Sequence, residues 1–113
     1  MRKTRLLLVN EPLSYRDAIA HVFRELRPNL EVLACDPDDV ESGLEALAPD
    51  VVICSALTPA IRDGVRVWIE LYPGGEPLAV VSIAGERATF SDIELPDLLS
   101  VVDSTTEILQ HNL

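Results

Sequence analysis

Along the chain, short unbroken apolar runs alternate with stretches in which apolar residues recur every three or four positions. RLLLVN, opening at Arg5, leaves on a polar residue, Asn10, and reads as a buried strand. Ile19, Val22, Phe23 and Leu26 then recur at helical spacing until Pro28, and Ser14 with Asp17 resembles a capping box at the start of that helix. LEVLAC, residues 30–35, predicts a second strand. Asp36 and Pro37 supply an N-cap and first-turn pair for a second helix, with Val40, Leu44 and Leu47 as its stripe and Pro49 as its stop. VVIC is the third strand. After a loop from Ala56 to Asp63, the spacing of Val65, Trp68, Ile69 and Tyr72 predicts a third helix, ended by the turn PGGEP. LAVVSI, residues 78–83, predicts another strand, whereas AGERATFSDIELPD fits neither period and is expected to hold at most a short or irregular fourth helix. LLSVV, residues 98–102, predicts a fifth strand, and STTE, residues 104–107, a capping box for a closing helix of about two turns.

Strands alternating with helices imply a parallel sheet covered on both faces by right-handed crossovers, a doubly wound α/β domain over residues 1–113. Ligands of such sheets bind outside the carboxyl ends of the strands. Those ends are predicted to carry Asn10, Glu11, Ser55, Ser82 and Asp103.

Composition narrows the chemistry. Hydrophobic residues make up 48% of the 113 residues and aromatics 4%, which suits an aliphatic core of helices on a parallel sheet. Nineteen acids against nine bases leave a net charge of −10, and residues 28–61 carry seven acids and no Lys or Arg, which argues against direct nucleic-acid binding. That acidic stretch reads as a solvated, solubilising face. Cys35 and Cys54 stand far apart in apolar runs, as buried thiols of a reducing cytoplasm do. MRKTRLLLVNEP begins like a secretory signal, but its apolar run stops after four residues, so neither export nor a membrane span is expected.

Several segments share one likeness. VNEP stands where the receiver domains of bacterial response regulators carry an acidic pair, and APDVVICSALTP matches the stretch around their phospho-accepting aspartate. Ser82 matches their Ser or Thr switch residue, Asp103 falls at their usual lysine, and YRDAIAHVFRELRPNLEV looks like their first helix and second strand. The chain thus resembles a receiver domain along nearly its whole length. The resemblance implies a flavodoxin-like, five-stranded parallel sheet in the order 2-1-3-4-5 and a place in two-component signal transduction or a phosphorelay. The departures imply a degenerate pseudo-receiver: Ser55 stands at the acceptor position, Asn10 is neutral so that Glu11 alone keeps a charge, and Asp103 replaces the lysine. Ser100 stands where the family often has a switch aromatic, and the loop before Asp63 and Gly64 looks one residue longer. Magnesium is held chiefly by carboxylates, so no metal and no cofactor are expected.

Ordinary catalysis finds little support. A serine nucleophile needs a base, and His21 lies within the first predicted helix while His111 is near the chain end. No glycine-rich phosphate loop occurs. Arg62 and Arg87 follow the third and fourth predicted strands and could swing over the crevice to meet Glu11, Asp103 or a small anion, although solvated arginines are the plainer expectation. The leading expectation is therefore a cytoplasmic, non-enzymatic signalling and protein-interaction module that works without phosphotransfer. It would meet a protein partner or a second copy of itself through Phe90, Leu95, Leu98 and Leu113. The alternative is an atypical receiver controlled by Ser/Thr phosphorylation at Ser55 or Thr58, or by a small ligand, as the input domain of a transcriptional regulator. A small α/β enzyme, lacking base, metal set and phosphate loop, ranks third.

Overall fold

The computed structural model describes residues 3–111, with side chains through Leu109. β1 (Thr4–Leu8) lies at the centre of a parallel group, pairing with β2 (Leu30–Ala34) on one side and β3 (Val51–Cys54) on the other. β1 and β3 are buried on both faces, as their unbroken apolar runs demand. Leu6, Leu8, Val51 and Ile53 point to one face, and Leu7, Val9, Val52 and Cys54 to the other.

Helix α1 (Leu13–Leu26) packs Ile19, Ala20 and Phe23 on the first face. It starts on Pro12, whose carbonyl accepts from the Tyr15 and Arg16 amides at 3.1 and 3.0 Å, so the expected box of Ser14 and Asp17 is not used. A 3-10 turn, Pro37–Asp39, leads into α2 (Val40–Leu47), which packs on the second face and ends at Ala48 in the left-handed region. Helix α3 (Pro59–Gly64) is one short segment capped by the Thr58 hydroxyl, which accepts from the Ile61 amide at 3.3 Å.

Beyond α3 the chain departs from expectation. Val65 to Tyr72 is not a helix: Val67–Leu71 forms β4, parallel to β3, with Val67, Ile69 and Leu71 on the first face and Trp68 on the second. Because both faces of this strand are covered, its alternation carries no polar contrast, and the apolar residues also fit a period of 3.6. β5 (Leu78–Ile83) has the predicted extent but runs antiparallel to β4. A two-residue loop with positive φ at Ala84 and Gly85, as a type I′ turn requires, then returns the chain as β6 (Glu86–Ser91). The segment expected to be irregular is thus an edge strand, exposed along its length, which is why it shows no apolar period. The sheet is six-stranded and mixed, in the order β2-β1-β3-β4-β5-β6, rather than five-stranded and all parallel.

The predicted fifth strand is also corrected. Leu98–Val102 lies inside α4 (Leu95–His111), with Leu98, Leu99 and Val102 buried beside α1's stripe on the first face. Pro96 sits in the helix's first turn, where its missing amide costs nothing, and STTE is interior rather than a cap. Leu98, expected at an interaction surface, is 1% exposed, and Leu95 is half-buried against the core. Leu113 lies outside the described residues. Leu98→Ala is therefore expected to cost about 2–5 kcal/mol in urea unfolding. A change within about 0.5 kcal/mol, usual for surface sites, would put Leu98 back on the surface.

Candidate functional site

The carboxyl ends of β1 and β3 bring Asn10, Glu11 and Ser55 together. The Ser55 hydroxyl accepts from the Glu11 amide at 2.8 Å and donates back to the Glu11 carbonyl at 3.4 Å. It is a clasp between two loops, with both its functions engaged by backbone. Asn10 is 1% exposed, and neither atom of its amide has a partner among the described residues. The Glu11 side chain is exposed.

Neighbouring groups tighten the same end. Glu70 of β4, in register with Cys54, accepts from the Leu57 amide at 2.9 Å and so orders the loop after β3. Thr58 is occupied as the α3 cap. The remaining cleft, between Glu11, Val40, Ser55 and Ile61, holds about 80 Å³, far below the ~300–1,000 Å³ of ordinary ligand sites. Among the described residues no three His, Cys, Asp or Glu side chains gather as metal ligands would. On the first face, the Tyr15 and Tyr72 rings stack with centroids 6.2 Å apart, and the Tyr72 hydroxyl donates to the Ile93 carbonyl at 2.8 Å. Burial, then the neighbouring Tyr72, pushes the Tyr15 phenol up to about 12, so it stays neutral.

The other two expected members are elsewhere. Ser82 lies on the reversed β5 opposite Trp68, itself opposite Val52, three positions before Ser55 and roughly 10 Å back along the strands. Asp103 projects from α4 to Arg27 at the end of α1, where Nε and Nη2 donate to its two oxygens at 2.6 and 2.8 Å. Asp103 thus ties α4 to α1 and does not face Glu11. His21 is exposed on α1.

A larger concavity lies at the other side of the sheet. A groove of about 710 Å³ runs between the β5–β6 hairpin and α4, floored by Val81, Ala88 and Val101 and rimmed by Phe90 and Ile108, which are 42% and 38% exposed. Among the described residues of the expected surface, Phe90 is the one that lines it. Arg62 and Arg87, expected over the crevice, instead converge near the hairpin turn with Arg66 and Trp68, in a second hollow of about 260 Å³. No family model, curated protein or solved structure matches the chain. No helix among the described residues is long and apolar enough to cross a membrane.

Sequence reasoning missed Glu70, Arg66 and the Trp68–Arg87 contact, because all three depend on β4 and β6. The tight turn signal PGGEP, between two apolar runs, was the available clue.

The thiols report on this end directly. Burial, then the Glu70 carboxylate, pushes Cys54 up to about 12, and burial followed by Asp39 raises Cys35. A thiol raised in the folded state keeps its proton at pH 8, and its contribution to stability is present below the unfolded value near 8.5 and lost as pH rises toward 12. At pH 8 the native protein should react with a disulfide reagent slowly at half-buried Cys35 and at Cys54 only on unfolding. Native labelling of Cys54, read by peptide mapping, would contradict the closed end.

Proposed function

We propose that this domain is a receiver-like, flavodoxin-related interaction module of a bacterial regulatory system that works without phosphotransfer. One observation carries the proposal: at the position matching the phospho-acceptor, the Ser55 hydroxyl is held by the Glu11 backbone at 2.8 Å, inside a cleft of about 80 Å³. An acyl phosphate needs a carboxylate, and Ser55 has none to offer. The strand order β2-β1-β3-β4, all parallel, supports the receiver-like scaffold, with β5 taking the fifth place in reversed direction.

The partner surface in this proposal is the β6–α4 side, and its occupant is a second copy. β6 is an exposed edge strand with unpaired backbone groups along one side. A two-fold pairing of β6 with itself centred on Ala88 sets Glu86 opposite Phe90 and Arg87 opposite Thr89, so no like charges meet. Exposed Phe90 and Ile108 lie beside that edge.

Two measurements test the proposal. Incubation with acetyl phosphate and Mg²⁺ should leave the intact mass unchanged; one added phosphoryl group that disappears in Ser55→Ala would overturn the phosphotransfer-independent reading. Light scattering at micromolar concentration should give a dimer that Phe90→Glu returns to a monomer. A monomer at every concentration would remove the second copy as partner.

A further inference from the structure

We propose that the hollow at the β5–β6 turn is a binding site for a phosphate monoester, held by Arg62, Arg66 and Arg87 with the Ser82 hydroxyl. This inference does not rest on the module reading. The chain has nine bases against nineteen acids, so an arginine has carboxylates to choose from. Arg5, Arg16, Arg27 and Arg62 each pair with one. Arg66 and Arg87 make no ion pair and no side-chain hydrogen bond among the described residues, yet both line the same hollow. The strands bring them together: Arg66 immediately precedes β4, and Arg87 lies opposite Ser82 on β6.

Ser82 supplies the second observation. It is 3% exposed, lines the hollow, and its hydroxyl has no hydrogen-bond partner among the described residues. The hydroxyl itself is not sealed from solvent, so it is open to a ligand oxygen in the hollow that Ser82 lines with the arginines. Arg87 is preorganised, its guanidinium carbon 5.2 Å from the centroid of the Trp68 ring, which leaves the N–H edge free.

Charge and size select the ligand. Three guanidinium groups less Asp63, which pairs with Arg62 at 3.1 Å, leave a net charge of +2. A phosphate monoester carries close to −2 at pH 7, and guanidinium groups bind its oxygens in pairs. At about 260 Å³ the hollow lies just below the range of whole drug-sized ligands, which suits a phosphoryl group and the first atoms attached to it.

Trp68, the chain's only tryptophan, is the built-in reporter. Its emission is followed while inorganic phosphate, or glycerol 3-phosphate as the simplest monoester, is added to the full chain at low salt, with chloride at matched ionic strength as control. Amide shifts of Ser82 and Gly85 in ¹⁵N spectra are recorded in parallel, since Arg87 variants alter the tryptophan environment themselves. A saturable change with glycerol 3-phosphate, weakened about tenfold or more in Arg66→Gln and in Arg87→Gln, supports the site. Tighter binding of glycerol 3-phosphate than of phosphate identifies the monoester as the ligand; equal binding keeps the site and assigns it to free phosphate. Changes matched by chloride, spread equally over Arg5 and Arg24, or unaltered in both variants would overturn it.

Discussion

Six residues, Tyr72 to Pro77, join β4 to β5, and a parallel return needs a crossover of a dozen or more. The chain therefore has to reverse. Tyr72, Gly74 and Gly75 adopt positive φ, which completes the turn in that length, and the Tyr72 amide donates to the Leu78 carbonyl at 2.9 Å to close it. Everything after Leu71 follows from this reversal. β5 lies antiparallel, β6 extends the sheet to a free edge, and α4 is left to cover the first face beside α1.

The same reversal separates the residues that the likeness to receivers would gather in one pocket. Asn10, Glu11 and Ser55 remain together because they belong to the parallel half. Ser82 is carried to the opposite end of the strands, and Asp103, on a helix rather than at a strand end, finds Arg27. The closed end is thus stabilised by its own hydrogen bonds, from Ser55 to Glu11 and from Leu57 to Glu70, and the open concavities gather around the hairpin and α4.

How much was legible in the sequence divides at the same place. Through Cys54, apolar runs that are buried on both faces are short and bounded by caps and prolines, so β1, β2, β3, α1 and α2 could be located from pattern alone. Past Asp63 the extent of β5 was legible, though not its direction, and the rest of the pattern is degenerate. Val65 to Tyr72 satisfies a helical period because Trp68 faces a second apolar cluster, and Leu98 to Val102 looks like a strand because Leu98, Leu99 and Val102 share a helix face that is also nearly continuous in sequence. β6 gave no signal, since all six of its residues are exposed. The Ser55 clasp was within reach as a hydroxyl satisfied by a neighbouring amide. The arginine hollow was not, because its members are 25 residues apart and meet only when β4, β5 and β6 pair in this register.

The reversal after β4 is the central claim, and backbone NOEs test it most directly. An antiparallel β4–β5–β6 sheet predicts close Hα–Hα contacts across its non-hydrogen-bonded pairs, among them pairs from Val67–Ile83 through Leu71–Ala79 and from Leu78–Ser91 through Ile83–Glu86, together with helical contacts through Leu98–Val102. A parallel contact pattern for Leu78–Ile83, with extended backbone at Leu98–Val102 lying beside it, would contradict the account.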